Sequence, residues 1–230
     1  MRRQDWAFLG AIGGLVAAGV ALLVASTLWA GALVLAVVLL AVAARQWSRS
    51  QPGPMSHALS WVLRLPRGPH APSRLTRILE PRPGQRILEV GPGIGIHALP
   101  IAKAIEPRGT LDAIDIQEAM IRDLSARAEA AGVGNIVPAC GDATTLAYAD
   151  ATFDAAFLIT VLGEIPDQDA ALRELRRVIK PSGRLIIGEM IVDPDFVALK
   201  ELRDRAARAG FVFERKSGPS VAYLARFRRG

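Results

Sequence analysis

The chain has 230 residues, 51% of them hydrophobic and 22% charged, with a formal net charge of +6. That length holds one ordinary domain with an appendage, and the apolar content excludes a wholly disordered chain. A single cysteine, Cys140, excludes an intrachain disulfide and a multi-cysteine zinc site, and with only three histidines no metal centre is expected.

Residues 6–44 carry no charged side chain, and 32 of these 39 are hydrophobic. A membrane-spanning helix needs about 20 apolar residues, whereas 39 in one helix would run roughly 58 Å, nearly twice the hydrocarbon thickness. The run reads as a two-helix transmembrane hairpin with spans Trp6–Ala25 and Leu28–Ala44. Ser26 and Thr27 fall at its turn, and Trp6, Trp29 and Trp47 at span ends, where indole rings favour the headgroup layer. A cleaved signal is the competing reading, with Arg2-Arg3 and Ala41-Val42-Ala43 as its landmarks, but a signal's apolar region holds only about 7–15 residues.

Eight arginines (45, 49, 64, 67, 74, 77, 82 and 86) against the single acid Glu80 give residues 45–86 a charge of +7. Arginines just after a span mark its cytoplasmic side, and they attract anionic headgroups. The basic stretch adjoins no base-reading motif, so the expected partner is the lipid bilayer and not nucleic acid. The expected location is the membrane, with the following domain facing the cytoplasm. Residues 48–72 then form a basic, proline-containing juxtamembrane linker. Within it Met55, Leu59, Val62 and Leu63 share one helical face, which suits either an interfacial helix beside lipid or packing on the following domain.

From residue 73 strands and helices alternate. A short helix through Glu80 ends at Pro81-Arg-Pro-Gly84. Strands are expected at Arg86–Val90, Thr110–Asp115, Asn135–Ala139, Phe153–Ile159 and Arg184–Met190, and helices at Ile96–Ile105, Glu118–Ala131, Gln168–Ile179 and Phe196–Ala209. Pro181-Ser-Gly183 reads as a turn. Phe211–Lys216 and Val221–Phe227 close the chain as a strand pair around Ser217-Gly-Pro-Ser220, an antiparallel edge. The pattern predicts an α/β domain over residues 73–230, with a Rossmann-like, mainly parallel seven-stranded sheet and helices on both faces.

Ile87-Leu-Glu-Val-Gly-Pro-Gly-Ile-Gly95 is a glycine-rich turn between a strand and its helix, where a ligand can lie against bare backbone. Gly93-Ile-Gly-Ile-His-Ala98 also fits a dinucleotide fingerprint, and Asp115 stands at a spacing that suits a ribose-binding acid in either case. Glu89, two residues before Gly91, would oppose a pyrophosphate and tolerates a cationic ligand.

With its further motifs the chain resembles the class I S-adenosylmethionine-dependent methyltransferases over about residues 73–230. Leu88-Glu-Val-Gly-Pro-Gly-Ile-Gly95 is similar to the family's first motif, and Asp115 in Ala-Ile-Asp-Ile116 to the acid that binds the ribose hydroxyls. Gly141-Asp-Ala143 is similar to the adenine-binding segment. Phe153-Asp-Ala-Ala-Phe157 leads to Thr160-Val-Leu-Gly-Glu-Ile-Pro-Asp167, like the fourth strand and its active-site loop. Ile179-Lys-Pro-Ser-Gly-Arg-Leu185 resembles the turn before the fifth strand, with Ser182 where glycine is commoner.

The resemblance implies S-adenosylmethionine as cofactor, with Glu89, Gly91, Gly93, Gly95, Asp115, Ile116, Asp142, Ala143 and Thr160 binding it. It makes Glu164 the candidate general base, a solvated loop acid being the alternative. With the hairpin, it implies a lipid-soluble or membrane-associated methyl acceptor, such as a quinone or isoprenoid precursor or a lipid headgroup. Two other readings stay open: an NAD(P)-dependent oxidoreductase, and a non-catalytic membrane protein that keeps a methyltransferase-like fold. Asp115 and Asp142 have a structural alternative as turn or helix caps. His97, in the first turn after Gly95, reads as a plain helix-start residue with lining of the cofactor pocket as its alternative, and Cys140 as packed.

Overall fold

The computed structural model of the chain describes residues 29–40, 42–43, 45–46, 50, 52–64 and 68–230. The chain divides into two compact units, Met1–Trp47 and Ser48–Gly230. In the first, residues 29–40, 42–43 and 45–46 are helical (α1), and Leu33, Val34, Leu35, Leu39 and Leu40 are exposed. Among the described residues no helix is long and apolar enough to cross a membrane. The expected transmembrane hairpin is therefore not found among them. Its first span, Trp6–Ala25, lies outside the described residues, as does Trp47.

The second unit is built on a seven-stranded sheet of β1 (Arg86–Val90), β2 (Thr110–Asp115), β3 (Ile136–Cys140), β4 (Phe153–Ile159), β5 (Ile179–Met190), β6 (Phe211–Ser217) and β7 (Ala222–Arg229). In β4 every residue but Asp154 is buried, the continuous apolar run that a strand covered on both faces requires. Successive strand side chains point to opposite faces, so Ile87 and Leu88 enter different cores. Helices α2 (Pro72–Leu79), α3 (Ala98–Ala104) and α4 (Glu118–Ala130) bring Leu75, Ile101 and Leu124 to the first core. Helices α5 (Gln168–Val178) and α6 (Leu199–Arg208) bring Leu172, Leu175 and Leu202 to the second. The Asp167 carboxylate starts α5 by accepting from the Ala170 N–H at 2.8 Å, filling one of the donors that a helix N-terminus leaves open.

The strand order is β3-β2-β1-β4-β5-β7-β6. The sheet is mixed, which corrects the expectation of a mainly parallel one. β1 to β5 pair in parallel, but β7 runs antiparallel to both β5 and β6. The short turn after β6 forces β7 to run against it, and β7 then takes the slot beside β5. The antiparallel pairings thus enter the sheet, leaving β6 at the edge. β5 also starts earlier than expected: Pro181-Ser-Gly183 lies inside it as a register shift against β4, with Ser182 at φ 61°.

The order reverses between β1 and β4, each of which carries the next strand on its other side. In such sheets the crevice beyond the carboxyl ends of the strands at this reversal is where ligands bind.

Candidate active site

A cavity of about 420 Å³ opens there. From β1 comes the turn at Gly91 and Gly93, both with positive φ (67° and 52°). The Gly91 N–H donates to the Ile114 carbonyl at 2.8 Å, tying the turn to β2. A Cβ on Gly91 would strike Val161, with Cγ1 2.9 Å away. The backbone therefore approaches the loop after β4 at a distance only glycine permits.

Asp115 ends β2 facing the cavity, and its carboxylate accepts from the Gln117 N–H at 2.9 Å. Burial pushes its pKa up, while the Gln117 and Gly93 amides pull it back. After β3, Asp142 and Ala143 line the cavity. Asp142 also accepts from the Thr144 N–H and hydroxyl, both at 2.8 Å, so its turn-forming role and its place at the cavity coexist. After β4, Thr160 holds φ 56° and donates its N–H to the Gly188 carbonyl at 2.8 Å. A β-branched residue in that region is strained, and such strain concentrates at functional sites.

Glu164 follows on a 3-10 turn, Leu162–Glu164. A Cβ at Gly163 would collide with the Asp195 backbone, so the loops after β4 and β5 meet tightly here. Burial pushes the Glu164 carboxyl up to about 8, helped by Asp193, Asp195 and Asp115 and opposed by the Met55 N–H that donates to it. A carboxyl so desolvated is not a solvated loop acid.

Of the expected cofactor residues, Gly91, Gly93, Asp115, Ile116, Asp142, Ala143 and Thr160 line the cavity together with Glu164; Glu89 and Gly95 do not. Gly95 instead faces the Leu124 and Leu99 side chains. Glu89 is buried with Oε2 lacking any protein partner. Burial, then Asp115, push its carboxyl well up. An orphaned buried carboxyl close behind a bare-backbone turn suits a ligand that brings a cation and hydrogen-bond donors, and opposes a pyrophosphate. The residues present fit S-adenosylmethionine on these grounds.

Several lining residues were missed from sequence. Pro52, Gly53, Pro54, Met55 and Leu63 reach the cavity from the segment read as a linker. The Met55 carbonyl accepts from the Gln117 side chain at 2.9 Å, and His57 lies 2.9 Å from Asp123, so the segment packs on this unit. His97 is buried at the cavity wall and donates from Nε2 to the His70 carbonyl at 2.8 Å. Asp193 joins from the loop after β5. No motif marks residues 52–55, Leu63 or Asp193, whereas His97 falls within the segment 93–98. Cys140 is exposed instead of packed.

Glu189, at the end of β5, is 1% exposed, with the Val197 N–H donating to Oε2 at 3.2 Å. Burial above all pushes its carboxyl well above the ordinary range, with Asp193, Glu164 and Asp195 adding to it against the Val197 bond. A raised folded pKa favours the native state fully below the unfolded value and loses that advantage as pH rises through the folded value. Glu189→Gln should therefore match the native Tm at pH 4 and exceed it by a few degrees at pH 8, measured by thermal unfolding at both pH values.

The fold and this crevice define a class I methyltransferase domain. Residues 87–183 match the family described as "Methyltransferase domain". The chain carries an S-adenosylmethionine-dependent methyltransferase domain. It is 31% identical over 149 residues to the nocamycin O-methyltransferase of Saccharothrix syringae, covering 65% of this chain and 52% of that one. It is 38% identical over 108 residues to a ubiquinone/menaquinone biosynthesis C-methyltransferase of Cupriavidus metallidurans, covering 47% and 44%. The chain thus spans about half the length of these curated relatives. In fold it is similar to a SAM-dependent methyltransferase from Aquifex aeolicus, with TM-score 0.71 and 20% identity, covering 77% of this chain and all of that one.

Proposed function

We propose that the protein is a membrane-associated methyltransferase that moves a methyl group from S-adenosylmethionine to a lipid-soluble or membrane-associated acceptor, its catalytic domain facing the cytoplasm. The observation that carries the transfer is one cavity combining the Gly91–Gly93 turn, Asp115 and the poised Glu164. In this reading Gly91 and Gly93 give backbone contact to the amino-acid end, with Glu89 behind them. Asp115 takes the ribose hydroxyls, and Asp142 with Ile116 and Ala143 takes the adenine. Thr160 borders the methyl-transfer position.

When bound, the cofactor supplies a sulfonium methyl already activated toward displacement. What remains for the chain is alignment of the acceptor and removal of its proton. Glu164 accepts that proton, and the Met55 N–H orients its carboxylate. Ile96, Met120, Ile159 and Ile165 line the cavity with apolar surface for an acceptor of low water solubility.

Membrane association is supported by the uncharged run 6–44 and by α1, whose apolar side chains are exposed. A helix apolar all round needs an apolar surrounding. The eight arginines after the run favour the cytoplasmic leaflet. The test compares the full chain with one beginning at Ser48, following labelled-methyl transfer to membrane extract and to a water-soluble acceptor. The shortened chain should lose transfer to membrane acceptors selectively; equal relative activity on both would overturn membrane association.

A further inference from the structure

Resting on the methyl-transfer reading, we propose that Gln117 is a positioning residue for Glu164, fixing the Met55 backbone so that the Met55 N–H stays on the Glu164 carboxylate. The two side chains belong to different loops, Gln117 just past the end of β2 and Glu164 past β4, and both line the cavity. Met55 bridges them. Its carbonyl accepts from the Gln117 side-chain amide at 2.9 Å, and its N–H donates to Glu164. The two bonds flank one Cα between planar peptides, so a held carbonyl restricts the swing of the N–H. Gln117 is itself anchored, its own N–H donating to Asp115 Oδ1 at 2.9 Å. The contacts thus run unbroken from the acid assigned to the ribose to the acid assigned to the proton.

The other contacts of the segment hold it without setting this orientation. His57 Nε2 lies 2.9 Å from Asp123 Oδ2 on α4, with both side chains 43% exposed, and an exposed pair of this kind contributes little. Leu63 packs at Gly93, where an added Cβ would come within 2.8 Å of its Cδ1.

Orientation matters because of what else surrounds Glu164. Burial, Asp193 and Asp195 from the loop after β5, and Asp115 from β2 all favour its protonated form. Glu189 faces it too, itself buried and held well above the ordinary carboxylate range. Among the described residues acting on Glu164, the Met55 N–H alone favours the ionised form, and that is the form that accepts a proton.

The test is Gln117→Met in the full chain with adenosylhomocysteine bound. Gln117 is half-buried on a loop, so the substitution leaves the core intact. Methionine fills a similar volume, so Glu164 stays desolvated and only the donor is lost. Two NMR measurements read the result. Hydrogen exchange at the Met55 amide should quicken about tenfold or more. The Glu164 carboxyl, followed with isotope-labelled glutamate, should titrate about one pH unit higher, leaving about tenfold less of the ionised form at pH 7. Labelled-methyl transfer to membrane extract should fall in the same proportion at pH 7 and converge on the native rate as pH rises. Adenosylhomocysteine affinity should hold, because the substitution spares the Gln117 N–H on Asp115. A Glu164 titration that stays or falls, or an unchanged Met55 amide, would overturn the inference while leaving the methyltransferase reading standing. Weakened adenosylhomocysteine binding with an unmoved titration would make Gln117 a cofactor contact and overturn it likewise. Failure of adenosylhomocysteine to bind the native chain would remove that reading and this inference together.

Discussion

Glu164→Gln should lower kcat/KM for methyl transfer by about 100- to 10,000-fold, the range of a lost general base. Adenosylhomocysteine affinity should stay unchanged, because Glu164 lies at the acceptor end of the cavity. The sign of the pH dependence follows from its carboxyl, which sits at about 8. The basic form is the ionised one, so activity should rise about tenfold per pH unit from pH 6 and level near pH 8. Burial is the main cause, so an accessible acid substituted elsewhere on the loop would not reproduce the profile. Steady-state rates of the native chain and the glutamine variant between pH 6 and 9 measure both effects. A variant that keeps native activity with a flat profile would show that the acceptor arrives already deprotonated.

Gly91→Ala should abolish cofactor protection. The left-handed backbone at φ 67° costs an alanine about 1–2 kcal/mol. The added methyl also drives into Val161, and overpacking of this kind costs about 1–3 kcal/mol. Relief requires the turn to move, which displaces the backbone from the cavity it lines. The native chain should gain about 2.7 kcal/mol of stability at 100 times the Kd of adenosylhomocysteine; the alanine variant should melt lower and gain little. Thermal unfolding with adenosylhomocysteine and, separately, NADH checks this. Equal protection of variant and native chain would show that the turn does not hold the cofactor. Protection of the native chain by NADH alone would favour the oxidoreductase.

The parts of the site legible in sequence are those written in local backbone chemistry. Gly91 and Gly93 announce themselves because a strand must turn sharply into a helix with bare backbone. Asp115 follows from its spacing beyond the glycine turn, and Asp142 from the family resemblance of Gly141-Asp-Ala143. Five strand cores are equally readable, β4 above all, since burial on both faces demands an unbroken apolar run. The Glu164 position came through resemblance, but its chemistry did not: its proton is held by burial and by Asp193, Asp195 and Asp115, which lie on two other loops far from it along the chain.

The converse failures share one cause. Met55 lies in a stretch that the sequence left open between lipid and the following domain, and its amide and carbonyl engage Glu164 and Gln117 across more than 60 residues. His97 reads as a helix start, yet it is buried against the His70 backbone. Ser182 reads as part of a turn, but the turn is absorbed into β5 because β4 offers a pairing edge on both sides of it.

By itself, then, the sequence determined the α/β alternation, the glycine turn, the acid at the end of β2 and the separation of an uncharged N-terminal run from the charged remainder of the chain. Each depends on neighbours within a few residues or on a composition that survives without a fold. Only the tertiary structure decided that β7 enters the sheet antiparallel beside β5, that residues 52–55 and Leu63 line the cavity, and that Asp193 lines it with Glu164. Those outcomes depend on which distant segments share an edge or a desolvated volume, and pairing and dielectric are properties of the assembled domain.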